Sequence, residues 1–422
     1  MSVLQEPTYA DGRTDIRVDF PVLRRTVDGI PVSYLDSAAT SLKPQSVIDA
    51  VVRYYAQVGA NIHRGKHMLS EEASHVYEMA RTRVAQFIGA QANEVAFTAG
   101  TTHGLNAVAA GLRLTRDDLV LVSADSHHSQ QLPWRHHARV EWIPVGPDGS
   151  VDLDGYSSLL RRRPRVVAIT HCSNVTGRYA PVAEMAALAR AHGAVTVLDA
   201  AQSVPHRPVD LHKLGVDALA FSGHKMLGPT GIGVLALSAR LFEAVHPAVH
   251  GGGMVDWVDL AKVVWRRPPH RFEAGTPHIA GAYGLLAAVD YLERLGMTRV
   301  AAHDARMADL LYAEAARREY LSPIAPGAGE RGGILSVAVR GCRDLGELAR
   351  ILSDSYGVMC RSGHLCAQPL VDAFGHGQVL RISAYAYTTD EEVRHAFTAL
   401  DEAFPLVGAA SPTEPRPDRG QE

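Results

Sequence analysis

Four polar residues able to do chemistry stand directly after four different β-rich runs. His127 follows DLVLVSA, Asn174 follows RVVAIT, Asp199 closes VTVLD, and Lys225 follows DALAFS. In a parallel sheet the carboxyl ends of the strands open on one crevice, which is where such folds bind ligands. A lysine, an aspartate and an imidazole gathered there suit pyridoxal phosphate. The amine condenses with its aldehyde, the carboxylate keeps the pyridine nitrogen protonated so that the ring accepts electrons, and the imidazole lies over a ring face. The turn Ala99-Gly100-Thr101-Thr102 leads from a strand into the helix-like HGLNAVAAGL and offers N–H groups and hydroxyls to a phosphate, with Ser222 and His224 as further donors. Taken singly, each residue has a plainer reading: Lys225 as a solvated surface lysine, Asp199 as a helix N-cap, His127 as a satisfied loop histidine. The combination is what favours a site.

The elements that must position these residues alternate between helical and β patterns. Val47, Val51, Tyr54 and Tyr55 share one face of a helix, and Val76, Ala80, Val84 and Phe87 share the face of a second that starts near Glu71. Strand-like runs end at Thr98, Ala124, Thr170, Asp199, Ser222 and Leu237. From about Gly281 the pattern becomes a long helix, AYGLLAAVDYLERL, followed by GILSVAV and QVLRISAYAY. The expected fold is α/β: a large domain over 33–284 with a mainly parallel sheet flanked by helices, and a smaller α+β domain over 285–407 that carries RSGHLCAQPL. Residues 1–32 form an N-terminal segment, mobile at its start, that joins the small domain; 408–422 form a disordered tail.

Composition bounds the function. With 422 residues, 46% of them hydrophobic, the chain can bury two cores, and a formal charge of -3 leaves no excess of positive charge for a phosphate backbone, so nucleic acid is not an expected partner. The run Arg161, Arg162, Arg163, Pro164, Arg165 reads as a solvated connection. Four cysteines, at 172, 342, 360 and 366, form no CxxC pair; neither a disulfide framework nor a metal site is expected. No apolar stretch has the length to cross a bilayer, and the expected compartment is the cytoplasm.

SGHKMLGPTGIGVL, LDAAQSVPHRPVD, ITHCSNVTG, AGTTHGLN, RFEAGTP and RSGHLCAQPL together resemble the class V group of fold type I pyridoxal-phosphate enzymes, and more narrowly the group II, or SUF-type, cysteine desulfurases. The resemblance runs from about Phe20 to about Leu406. It implies that Lys225 is the cofactor-linked lysine, Asp199 the partner of the pyridine nitrogen, Gln202 the donor to the phenolic oxygen, and His127 the stacking histidine that assists proton transfer. Thr101, Thr102, Ser222 and His224 match phosphate contacts, and Thr276 matches one contributed by the other subunit of a homodimer. Asn174 and Arg381 match the groups that orient the substrate carboxylate, and Cys366 matches the nucleophile that receives sulfur, with Arg361 and His364 nearby. Cys172, Cys342 and Cys360 read as small hydrophobes. The implied reaction converts L-cysteine to L-alanine and passes a persulfide to a sulfur-acceptor protein, for iron–sulfur clusters or other sulfur compounds. L-selenocysteine as substrate, and a class V lyase, epimerase or aminotransferase, are the alternatives; a non-catalytic scaffold would need none of Lys225, Asp199 and Cys366. Five positions depart from the family pattern: His103, Ser126, Ser129, Gln130 and Thr388.

Overall fold

The computed structural model describes residues 15–407 apart from 328, so the expected mobile start and the tail from 408 lie outside the described residues. Seven strands build the central sheet: β1 (Val95–Thr98), β2 (Leu119–Ser123), β3 (Arg139–Ile143), β4 (Val166–Thr170), β5 (Val195–Asp199), β6 (Ala218–Ser222) and β7 (Gly233–Leu237). Their spatial order is β1-β7-β6-β5-β4-β2-β3. From β3 to β6 neighbours run parallel, while β7 is antiparallel to both β6 and β1. β2, β4, β6 and β7 are buried along their whole length, as a sheet covered on both faces requires.

Strand periodicity divides the core. Val120 and Val122 face Leu105, Val108 and Trp134 on one side. Leu119 and Leu121 join Val84, Met185 and Ile279 on the other. The strands expected from sequence all form, and β3 adds one. Its RVEWI pattern leaves one residue of five buried, at the sheet edge, so it lacks the apolar run that marks the others.

Helix Gln45–Arg53 is the expected first helix, and Met68–Phe87 the second, starting three residues before Glu71. Both pack against Ile279–Leu295, whose buried face belongs to the large core, so the expected boundary between 284 and 285 falls inside this helix. On the next helix, Met297–Ala316, Val300 still packs in the large core while Met307 and Leu311 belong to a second core. That second core fills a four-stranded antiparallel sheet, β8 (Leu321–Pro323), β9 (Ile334–Val339), β10 (Arg361–Gly363) and β11 (Val379–Ser383), in the order β8-β9-β11-β10. Residues just past the expected end of the N-terminal segment, placed above in the large domain, reach this unit: Ser33–Tyr34 pairs in parallel with Val358–Met359, and Asp36 bridges to Ser383.

Candidate active site

The carboxyl ends of β2, β4, β5 and β6 open on one cleft of about 430 Å³. It gathers Thr101, Thr102, His127, Asn174, Asp199, Gln202, Ser222, His224 and Lys225 from the large unit, and Arg361, Cys366 and Arg381 from the small one. Two expected residues are elsewhere. Thr276 lines a separate cleft and accepts a hydrogen bond from Asn61 Nδ2 at 3.2 Å. His364 belongs to neither cleft lining; its carbonyl accepts from Ala367 N.

Lys225 closes the short turn after β6, and its charge is set by its surroundings. Burial lowers its pKa from 10.5 to about 8; Asp199 and Cys366 act against that, and the Arg381 and Arg361 guanidiniums reinforce it. The peptide carbonyl before it is held firmly. His224 O accepts from Ser41 N (3.0 Å), Thr40 Oγ1 (3.0 Å), Ser41 Oγ (3.1 Å) and Lys43 Nζ (3.0 Å). Burial lowers the Lys43 pKa to about 8 as well. These three residues were not singled out in the sequence, because their shared partner lies more than 180 positions away.

His127 caps the helix His128–His137, and its Nδ1 accepts from Ser129 N at 3.0 Å, with Ser129 Oγ also 3.0 Å away. An accepting Nδ1 leaves the ring proton on Nε2. Burial, then the charges of Lys225, His128 and Arg381, lower its pKa to about 4, so the ring is neutral at physiological pH. Ser129 Oγ also contacts Thr102 Oγ1 at 2.7 Å, which links the histidine to the mouth of helix Thr101–Gly111. At that mouth Ser222 Oγ accepts from Thr101 N at 2.8 Å. Gly233 has no room for a side chain: a Cβ there would lie 2.5 Å from Gly100 Cα.

The cleft suits pyridoxal phosphate. Asp199 is buried at the end of β5, and burial raises its pKa while the Ala201 N–H and Lys225 pull it down, so a cationic ring nitrogen is the partner that would stabilise its ionised form. Gln202 spends one N–H on Ala38 O at 2.7 Å, keeps a second, and leaves Oε1 buried without a partner. Helix Thr101–Gly111 points its N-terminus and the Thr101, Thr102 and Ser222 hydroxyls at the same cleft, as a phosphate requires.

Cys366 enters from the small unit on a strained loop. Leu365 and Cys366 both have φ of 55°, a left-handed conformation uncommon for residues with side chains. The loop is tied down where the chemistry sits: His128 N donates to Cys366 O at 2.7 Å, and Asn174 Nδ2 donates to Leu365 O at 2.8 Å. Cys366 is exposed; Cys172 is buried, though it lines the cleft, and Cys342 and Cys360 are partly buried. Arg381, 3% exposed, donates through Nη1 to Asn174 O (3.1 Å) and through Nη2 to Asp36 Oδ1 (3.1 Å), and its Nε has no partner. A buried N–H in a cleft without an acceptor is a place for an anionic group of a ligand.

Among the described residues one group has metal-ligand geometry: His63, Glu78 and His270, with ligand atoms within 4.8 Å of one another. Glu78 is already bound to Arg81 Nε at 2.8 Å, and a cation there would meet that guanidinium.

The class-V aminotransferase family model matches residues 33–395. A cysteine desulfurase of Klebsiella pneumoniae (strain 342) is 40% identical over 93% of this chain and 98% of its own. A probable cysteine desulfurase 2 of Mycobacterium leprae (strain TN) is 41% identical over 93% and 97%. Among solved structures, the apo cysteine desulfurase of Thermococcus onnurineus NA1 superposes with a TM-score of 0.87 at 37% identity, covering 92% of this chain and 97% of the other.

Proposed function

The chain belongs to the class-V aminotransferase family as a pyridoxal-phosphate-dependent cysteine desulfurase, and we propose that it works through Lys225, Asp199, His127, Arg381 and Cys366, with Cys366 as the sulfur carrier. The observation that carries this reading is one cleft in which an amine of lowered pKa, a buried carboxylate, an unpartnered guanidinium N–H and an exposed thiol converge.

The cofactor supplies an electron sink beside the Cα of the amino acid condensed with it. Asp199 would hold the proton on the ring nitrogen, and His127, a neutral imidazole lining the same cleft, would pack against the ring. Arg381 Nε and Asn174 orient the substrate carboxylate, which fixes the Cα–H beside the Lys225 amine. Its pKa, lowered to about 8 by burial, lies close enough to neutral pH for that amine both to take a proton and to return it. Cys366 thiolate then attacks the substrate sulfur. The carbon–sulfur bond breaks as the sulfur–sulfur bond forms, the electron pair stays with the carbon frame, and protonation of that frame yields alanine. Cysteine and the Cys366 thiol become alanine and a Cys366 persulfide, with no external oxidant.

The finer assignments belong to the same proposal: the group II subclass that the SGHK and RSGHLCAQPL blocks imply, a homodimer in which Thr276 serves the neighbouring subunit, and an acceptor protein for the sulfur. Thr276 lining a cleft other than that of its own Lys225 supports the dimer. A cytoplasmic location accords with four free cysteines and, among the described residues, no helix long and apolar enough to cross a membrane. The test is the mass of the holoenzyme after brief exposure to cysteine. One added sulfur mapped to the Cys366 peptide, absent in Cys366→Ser, is expected. Sulfur carried on Cys172, Cys342 or Cys360, with turnover intact in Cys366→Ser, would overturn the assignment.

A further inference from the structure

Arg361 and Arg381 occupy directly opposed positions on the antiparallel strands β10 and β11, and both guanidiniums line the Lys225 cleft. Like charges facing each other across a strand pair destabilise a sheet. Here a third residue separates them. Asp36 accepts from Arg361 Nε at 3.2 and 3.1 Å and from Arg361 Nη2 at 2.8 Å, and from Arg381 Nη2 at 3.1 Å. It reaches this position from the stretch that follows Ser33–Tyr34, where its backbone bridges Ser383 at the end of β11. Asp36 is mostly buried at 14% side-chain exposure, and Arg361 is half-exposed.

The geometry has two consequences. First, the Arg381 plane is fixed at two corners, Nη1 by Asn174 O and Nη2 by Asp36, so that the unpartnered Nε edge has one direction to face. Second, two guanidiniums and one carboxylate leave the mouth with one net positive charge, which matches a substrate with one carboxylate and an uncharged thiol.

We propose that Asp36 is a positioning residue that both orients Arg381 for the substrate carboxylate and, by neutralising Arg361, selects monocarboxylate amino acids over dicarboxylates. This rests on the reading that Arg381 grips the substrate carboxylate. Loss of Asp36 frees Arg361 to take a second carboxylate and loosens Arg381, two effects of opposite sign for the two ligand classes. A residue that only held the fold together would weaken both.

The experiment measures KM and kcat for L-cysteine and the inhibition constant of L-aspartate, used as a dicarboxylate probe, in the holoenzyme and in Asp36→Asn, Asp36→Glu and Arg381→Lys. In Asp36→Asn the cysteine KM rises about tenfold, as expected for one charge-assisted hydrogen bond, kcat changes less, and aspartate inhibits more tightly than in the parent. Asp36→Glu keeps the charge with a displaced carboxylate, so its cysteine KM rises and aspartate, which shares the α-carboxylate, inhibits less tightly by a similar factor. This second variant decides the matter if Asp36→Asn does not fold. An unchanged cysteine KM in both Asp36 variants, aspartate inhibition weakened in parallel with cysteine binding in Asp36→Asn, or aspartate inhibition tightened in Asp36→Glu, overturns the proposal. An unchanged KM in Arg381→Lys would instead overturn the carboxylate-grip reading beneath it.

Discussion

Mixing the cofactor-free protein with pyridoxal phosphate over a range of pH reads the electrostatics of Lys225 directly, because only the neutral amine condenses with the aldehyde. Burial lowers this pKa from 10.5 to about 8 against the pull of Asp199. At neutral pH an amine of pKa about 8 is unprotonated in roughly one molecule in ten, and an ordinary lysine in roughly one in three thousand. The structure therefore predicts condensation about 300 times faster than the ordinary pKa allows, with a midpoint near pH 8 in the rate profile. Stopped-flow growth of the visible absorption band from about pH 6 to about pH 10 measures it. Two variants fix the cause. Asp199→Asn removes a charge that favours the ammonium, so its midpoint moves down; Arg361→Gln removes one that disfavours it, so its midpoint moves up. A parent midpoint at the ordinary lysine value, or both variants moving the same way, would refute the argument that burial and these two charges set the amine.

Further consequences follow from named side chains. His127, with its pKa held at about 4 by burial and by the Lys225, His128 and Arg381 charges, contributes no limb to the kcat/KM profile in the usual histidine range; a limb there that vanished in His127→Gln would contradict the neutral state given above. Trp134 is fully buried beside β2 and donates through Nε1 to Gln130 Oε1, so Trp134→Ala lowers stability by about 3–5 kcal/mol in denaturant unfolding. Burial pushes the Glu78 pKa up, but hydrogen bonds from His63 and Arg81 outweigh it and bring the carboxyl from 4.5 to about 2. A carboxyl depressed in the folded state contributes stability that is full above the unfolded value and is lost as pH falls toward the folded one. The stability gap between the parent and Glu78→Gln should accordingly narrow between about pH 4.5 and about pH 2, measured as denaturation midpoints.

What the sequence revealed and what it withheld divide along physical lines. The strands that carry Asn174, Asp199 and Lys225 are five-residue runs, buried throughout or nearly so, and such runs announce themselves as apolar segments ended by a polar residue. The edge strand Arg139–Ile143 alternates charged and apolar residues and gave no such signal. Helix Ile279–Leu295 was legible as a helix, but its place in the large core was not, since membership depends on the helices it meets and not on its own pattern. Asp36 could not have been found at all. Its meaning lies in two arginines 325 and 345 positions away, and only the register of β10 with β11 makes a carboxylate necessary between them. Thr40, Ser41 and Lys43 were hidden for the same reason.

The five departures from the family pattern bear unequally on the chemistry once their partners are known. Gln130 is fully buried and donates to Ile169 O (3.2 Å) and Val197 O (3.1 Å), so it serves the sheet. Ser126 Oγ accepts from Thr170 Oγ1 beneath the cleft, and Thr388 Oγ1 accepts from Tyr385 N in the turn after β11. His103 Nδ1 accepts from Ala99 N and steadies the turn before helix Thr101–Gly111. Ser129 alone among the five lines the cleft, where its hydroxyl stands between Thr102 Oγ1 and His127 Nδ1. A hydroxyl has one proton to give, so it satisfies either the histidine or the threonine at a time. The Ser129 backbone N–H already holds His127 Nδ1, which leaves the hydroxyl proton free for the threonine oxygen and the Thr102 proton free for a phosphate. The one departure that touches the site thus supports the cofactor pocket and leaves the Arg381 end, where the substrate carboxylate is read, as it is.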